Sequence, residues 1–143
     1  MEYKTLKKRL ISFLSSLILA SGANAQAINN KVLEQTFPAG TKVRTGVPAD
    51  SPDKLLELFN VYFSQHQNIK TARLGLVEFV PPETQSIFCY VIGVDTASDE
   101  ERALKDLKEI ALASPMGRWP VMILSLKSDG HLFTNQALYI YQR

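Results

Sequence analysis

Apolar residues occupy both faces of one predicted strand. A strand with one face in water alternates apolar and polar side chains. The stretch 86–95, SIFCYVIGVD, does not. Its alternating side chains form two sets that are both apolar, Ile87, Cys89 and Val91 on one face and Phe88, Tyr90, Ile92 and Val94 on the other. This pattern predicts that both faces of the sheet are covered.

Two segments carry the apolar period of amphipathic helices. The first begins at Ser51, the expected N-cap, with Pro52 at the first helical position, and its apolar arc runs from Leu55 to His66. The second begins at Ser98, which forms a capping box with Glu101 three residues later. We therefore expect two helices, each with one buried face.

Four predicted strands alternate with these helices, over residues 41–45, 69–80, 86–95 and 121–127. The order β-α-β-β-α-β is typical of the ferredoxin-like fold. The predicted fold class is therefore α+β, with an antiparallel sheet, two helices on one face and a C-terminal tail. In the tail, residues 134–138 are expected to form a helical turn and residues 138–141 an edge strand.

Two helices on one side leave the reverse side of the sheet to be covered by something else. Six apolar side chains left in water there would forgo on the order of 9–18 kcal/mol, which is comparable with the stability of a whole domain. A second copy of the chain or a different partner protein is a candidate cover. The chain's own tail is the simplest one, through Leu132, Phe133, Leu138, Tyr139 and Tyr141.

Residues 1–25 have the pattern of a signal peptide. Four basic residues precede the apolar run 10–21, and Ala23-Asn24-Ala25 offers small residues for cleavage before Gln26. The run is shorter than a membrane-spanning helix needs. We expect cleavage, no stable membrane anchor afterwards, and a periplasmic or secreted protein. Residues 26–36 are a polar lead-in with an expected helical turn at 31–35, and residues 37–143 form the domain.

Cleavage would also change the charge of the chain. The full chain has 16 Lys and Arg against 14 Asp and Glu, and residues 1–25 hold four of the former and one of the latter. The remaining 118 residues would carry 12 basic and 13 acidic side chains. A nearly neutral domain lacks the electrostatic footprint of a nucleic-acid-binding protein, so no nucleic-acid partner is expected.

No set of residues has the spacing of a catalytic, cofactor or metal site. The single cysteine, Cys89, lies among apolar residues without a neighbouring base, and His66 ends the first helix, so both are expected to be structural. The acidic run 99–101 fits a helix start better than a calcium loop. Arg73 and Arg118 would form a small anion site only if the fold placed them together.

From Phe37 onward the chain resembles the C-terminal domain of the SseB family, the enhanced serine sensitivity proteins. The resemblance rests on the opening Pro38-Ala39-Gly40-Thr41-Lys42-Val43 with Gly46-Val47-Pro48, on residues 69–74 and 92–95, and on Trp119-Pro120-Val121. It covers residues 37–128. Family members commonly carry an aromatic residue where this chain has Arg73, and they commonly have another domain in front. The resemblance implies no catalytic residue.

These observations favour an exported, non-enzymatic domain that binds a protein partner, a second copy of itself or a small ligand at the open sheet face. The alternative is a small hydrolase or thiol enzyme that uses Cys89 or His66.

Overall fold

The computed structural model describes the backbone of residues 4–5, 9–21, 25–115 and 117–143, and the side chains of residues 36–115 and 117–143. The strands are β1 (Lys4–Thr5), β2 (Arg9–Ser21), β3 (Ala25–Phe37), β4 (Lys42–Gly46), β5 (Ile69–Val80), β6 (Ile87–Thr96), β7 (Val121–Ser125) and β8 (Leu138–Gln142). The helices are α1 (Asp53–Gln65), α2 (Glu100–Leu112) and the four-residue α3 (Leu126–Asp129), which continues into a 3-10 turn, Gly130–Leu132.

The sheet is mixed, so the prediction of an antiparallel sheet is wrong. β4, β5 and β6 are neighbours in antiparallel pairs, whereas β6 and β7 are parallel and joined through α2. β8 and β4 lie end to end along the same edge of β5, because this strand is long enough for both. The strand order β4-β5-β6-β7 also differs from the ferredoxin-like order, in which the first and third strands are adjacent. The α+β class is confirmed.

One face of the sheet, called the helix side here, is covered by α1 and α2. Both helices contribute to one buried cluster, which confirms that they lie on the same face. The expected alternation is also confirmed, because Tyr90, Ile92 and Val94 of β6 point to this side. The other buried members are Leu55, Phe59, Tyr62, Phe63, Ile69, Ala72, Leu74, Ala103, Leu107, Ala111, Val121 and Ile123.

The opposite face, called the tail side here, is covered by the chain itself. Leu132, Phe133 and Ala137 are buried against it, and Leu126 is packed beside them. The sheet contributes Val43, Val77, Phe79, Cys89, Val91 and Met122, joined by Phe37. Of the three candidate covers, the C-terminal tail is therefore the one that the described residues show. The expectation is confirmed for Leu132 and Phe133 but wrong for β8, because Leu138 and Tyr139 are exposed and Tyr141 packs on the helix side.

Both expected N-caps are wrong. α1 begins after Pro52 and α2 after Asp99, and neither residue makes a side-chain cap hydrogen bond. Asp99 instead adopts the left-handed conformation, with φ at 53°. The Ser98 carbonyl accepts a hydrogen bond from Asn68 Nδ2 at 2.8 Å, so this residue ties the loop to the segment after α1 rather than opening α2.

The tail also differs from its prediction before it reaches β8. The last central strand ends at Ser125, whose hydroxyl accepts from the Lys127 amide and caps α3. Residues 134–137 form a turn closed by the Ala137 amide and the Thr134 carbonyl at 3.0 Å, not a helical turn. The expected edge strand is confirmed as β8, which pairs with β5.

The backbone before residue 36 adds β1, β2 and β3 to the sheet. β1 pairs with β4, β2 pairs with β3 along its length, and β2 meets β7 at the single residue pair Leu14–Val121. The helical turn expected at 31–35 is therefore wrong, because extended pairing with β2 occupies this segment. Cleavage after Ala25 would remove β1 and β2 but leave the strand pairs among β4–β8 intact. The pairing of β1 and β2 therefore does not decide whether residues 1–25 are cleaved, and the leader stays a prediction.

None of the helices among the described residues is both long and apolar enough to cross a membrane.

Candidate functional site

A patch of apolar side chains that are not fully buried lies at one end of the helix side, beside the cluster to which α1 and α2 contribute. We call Val47, Leu76, Phe88 and Trp119 the aromatic patch. Phe88 and Trp119 lie with ring centroids 5.1 Å apart, and Val47 is 39% exposed. Phe88 points to this side because β6 alternates, yet it lies beyond Tyr90, the last β6 residue of the helix-side cluster toward this end.

Charged side chains border the aromatic patch. Arg44 and Glu78 are opposite one another on β4 and β5, with Nη2 and Oε1 2.8 Å apart. The Arg118 guanidinium lies 4.8 Å from the centre of the Trp119 ring. A hollow of about 190 Å³ lies beside Phe88, lined by Arg44, Thr45, Gly46, Val47, Leu76 and Glu78. The patch thus combines large rings, arginines and a hollow that fits one side chain.

Cys89 is buried on the tail side. Its side chain is 0% exposed, and its Sγ contacts Met122 Sδ at 3.3 Å. Burial raises the pKa of the thiol far above its ordinary value, so the uncharged form is strongly favoured. Thiolate is the reactive form of cysteine, and this environment opposes it. The structure therefore places Cys89 in a core, as the sequence predicted.

His66 lies at the end of α1 on the other side of the sheet from Cys89. Its ring stacks on Tyr62 with centroids 3.8 Å apart, and its Nδ1 is 2.8 Å from the Tyr62 carbonyl oxygen. Tyr62 in turn donates to Asp106 Oδ2 at 2.9 Å. Burial, followed by this hydrogen bond, raises the pKa of Tyr62 to about 12. These contacts join α1 to α2, and Cys89 and His66 do not form a pair.

Arg73 holds the tail against the sheet. Its Nη2 donates to the carbonyl oxygens of Thr134 at 3.1 Å and of Ala137 at 2.9 Å, and lies 3.4 Å from that of Asn135. Its guanidinium also lies 4.6 Å from the centre of the Tyr139 ring. Arg118 lies on the helix side, so the fold does not bring the two arginines together as an anion site.

Two glycines form the seat of the tail's main aromatic residue. A Cβ on Gly93 would lie 2.7 Å from the Phe133 ring, and one on Gly75 would lie 3.3 Å from it. Only hydrogen atoms at these positions let the ring approach the two central strands so closely. Sequence reasoning missed this seat, although a glycine inside a predicted strand is itself a signal of a close approach.

The acidic residues 99–101 lie at the start of α2. Among residues with described side chains, no group of three or more His, Cys, Asp or Glu is arranged to hold a metal ion. Glu100 Oε1 accepts a hydrogen bond from the Ser125 hydroxyl, which ties α2 to the end of β7.

A family model for the SseB protein C-terminal domain matches residues 37–143. The chain belongs to this family. The match extends beyond the resemblance seen in the sequence, because it includes the tail that covers the sheet as well as residues 37–128. Searches of curated proteins and of solved structures found no match. In this SseB C-terminal domain, Arg73 stands where an aromatic residue was expected, and it clamps the tail.

Proposed function

We propose that this SseB C-terminal domain is an exported binding module, and that it contacts a protein partner through the aromatic patch. The observation that carries the proposal is the pair Phe88–Trp119, which stays partly exposed although the neighbouring rings of the central strands, Phe79 and Tyr90, are fully buried. The tail already occupies the face on which a partner was expected from the sequence, so the proposed binding surface lies on the helix side.

The chemistry of the patch favours a protein over other partners. Aromatic residues and arginine are enriched where proteins bind each other, and the residues that dominate affinity are commonly Trp, Tyr and Arg in the centre of a contact. The patch holds one Trp and one Phe flanked by Arg44 and Arg118. A partner side chain that enters the 190 Å³ hollow would contact Leu76 and Phe88.

Export is proposed from the pattern of residues 1–25. The intact mass of protein recovered from outside the cytoplasm should correspond to a chain that begins at Gln26. A mass that retains Met1 would contradict the proposed cleavage.

The binding proposal is tested by site-specific crosslinking in living cells. A photoreactive amino acid replaces Val47, in the patch, and in a second strain it replaces Val61, which is 54% exposed on α1. We expect a discrete crosslinked band from position 47 and none from position 61. The band should disappear when Phe88→Ala is combined with the probe, and it should persist with the control substitution Leu58→Ala on α1.

Three results would contradict the proposal. They are the absence of any band from position 47, equal bands from both positions, or a band that survives both Phe88→Ala and Trp119→Ala. A band with the mass of two copies of this chain would indicate that the partner is a second copy and not a different protein. Light scattering across protein concentrations checks this self-association independently.

A further inference from the structure

A polar groove of about 310 Å³ lies on the tail side, away from the aromatic patch. It is lined by residues of the central strands, of the segment after β7 and of β8, namely Thr71, Arg73, Asp95, Leu126, Lys127, Gly130 and Tyr139. The parallel strands β6 and β7 end at this groove, with Asp95 near the end of β6 and Lys127 just after β7. Ligands in α/β sheets bind where the carboxyl ends of parallel strands leave a crevice.

Arg73 is the fixed cation of the groove. Its Nη2 is held by tail carbonyls and its plane lies on Tyr139, so the guanidinium has one orientation. Its Nε is buried and has no hydrogen-bond partner among the described residues. A buried N–H of a charged group without an acceptor is costly. Because the Arg73 Nε is shielded from solvent, an oxyanion would reach it only after a small shift of the neighbouring side chains, and the bond would then remove that cost.

Lys127 and Asp95 set the charge of the groove. Lys127 Nζ donates to the Thr96 carbonyl at 2.6 Å and lies 4.0 Å from Asp95 Oδ1. Two cations and one carboxylate line the groove, which leaves one positive charge in excess. A monoanion matches this excess. The second negative charge of a dianion would be unpaired and would be repelled by the Asp95 carboxylate.

We propose that this groove binds a small monocarboxylate, with Arg73 and Lys127 as its cationic partners and the Thr71 hydroxyl as a further donor. The inference is separate from the proposed protein interface, because the groove and the aromatic patch lie on opposite faces of the sheet.

The test is a titration of the purified protein with sodium acetate. The protein is used as it is recovered from its own cells, and acetate replaces sodium chloride so that the ionic strength stays constant. The nuclear magnetic resonance signal of the Arg73 Nε–H group reports binding directly. We expect a saturable shift of this signal and of the Gly130 amide, and no shift at the Val47 amide in the aromatic patch. A second titration with inorganic phosphate should saturate at higher concentration.

Asp95→Asn is the most informative variant, because it leaves the contacts of Arg73 with the tail intact. It is also expected to raise the affinity for acetate, whereas structural damage would lower it. Removal of this negative charge should tighten acetate binding by about threefold, whereas Lys127→Gln should weaken it by about threefold, as expected for partly exposed charges. Glu57→Gln, which removes an exposed acidic residue on α1, is the matched control and should leave the affinity unchanged.

Several results would overturn the proposal. The Arg73 Nε–H signal could fail to move, or could move equally with chloride. Asp95→Asn could fail to tighten binding, or phosphate could bind more tightly than acetate. In each case the groove would not be a monocarboxylate site, even if the aromatic patch were shown to bind a protein.

Discussion

The two faces of the sheet are covered by different means. On the helix side, α1 and α2 each bury a periodic apolar stripe in one cluster. On the tail side, a short segment covers the strands with three buried side chains, Leu132, Phe133 and Ala137, and with Leu126 beside them. The first cover depends on repeated small contributions, and the second depends on one ring in a glycine seat and one arginine clamp.

Because of this difference, we expect substitutions on the two faces to have different effects. A helix such as α1, with four buried residues, keeps most of its contacts when one is shortened, and its backbone hydrogen bonds are internal. The covering segment 126–137 holds only the four-residue α3 and one 3-10 turn, so its order depends on the contacts it makes with the sheet. We therefore expect substitutions on the tail side to release the cover locally, and substitutions on the helix side to act on the whole fold.

The largest expected effect is the loss of a buried ring. Phe133→Ala and Phe59→Ala remove one phenyl group from the tail side and one from the helix side, and each should lower the free energy of unfolding by about 3–5 kcal/mol, as for other buried rings. Urea denaturation measures both. Native-state hydrogen exchange should show local opening of residues 131–137 in Phe133→Ala alone.

The comparison would be broken if Phe133→Ala cost less than about 1 kcal/mol, far below the range for a buried phenyl group. It would also be broken if Phe59→Ala opened the tail as widely as Phe133→Ala does.

A methyl group in the glycine seat should have the next largest effect. Gly93→Ala would place a Cβ 2.7 Å from both the Phe133 ring and Leu126, so these side chains must shift. We expect a loss of about 1–3 kcal/mol, typical of overpacking. Gly46→Ala is the matched control, because a Cβ at this position would have no atom within 4 Å. Equal stability of the two variants would mean that Phe133 is not seated on Gly93.

The arginine clamp should contribute less than the ring. Arg73→Lys keeps the charge but loses the planar fork that reaches several tail carbonyls. We expect a loss of about 1–2 kcal/mol in urea denaturation, with faster exchange at residues 134–137. Arg44→Lys, on the partly exposed pair with Glu78, should cost under about 1 kcal/mol. If Arg44→Lys lowered the free energy of unfolding more than Arg73→Lys does, Arg73 would not be the residue that holds the tail.

The smallest expected effect is on the helix side and depends on pH. The folded-state pKa of Tyr62 is about 12, above the ordinary value of 10.0. The folded protein therefore holds this proton more strongly, and the contribution of Tyr62 is complete below pH 10 and is lost as the pH rises towards about 12. Tyr62→Phe should reduce the alkaline fall in stability, measured as urea midpoints.

A remaining slope is expected in Tyr62→Phe, because burial and Asp50 also raise the pKa of Tyr90. An unchanged slope would show that the Tyr62–Asp106 hydrogen bond does not link α1 to α2.

Local patterns predicted the elements well and their arrangement less well. The apolar period found α1 and α2, and the two-sided strand β6 correctly predicted a second cover. The predicted strand order was wrong because strand pairing is non-local. The sequence of β5 alone does not indicate that β4 and β8 pair along the same edge of this strand. The cap expected at Ser98 failed because α2 begins one residue later, after Asp99 in the left-handed conformation.

The candidate sites were harder to predict than the fold. Phe88 and Tyr90 were expected to share one face of the sheet, and only Tyr90 belongs to the buried cluster of α1 and α2 on that face. The groove needs Arg73 of β5, Asp95 of β6 and Lys127 beyond β7 side by side. Residues so far apart in sequence carry no shared period, so only the pairing of the strands brings them together.

The central claim, that the chain's own tail closes the second face of the sheet, is tested most directly by the reactivity of Cys89. The thiol belongs to the buried cluster that Leu132 and Phe133 of the tail help to close, and it is 0% exposed. Iodoacetamide labelling of the native protein at neutral pH should be no faster than global unfolding allows. Phe133→Ala should accelerate labelling beyond its effect on global unfolding, whereas Phe59→Ala should accelerate it only as far as unfolding does. Rapid labelling of the unaltered native protein would contradict the account.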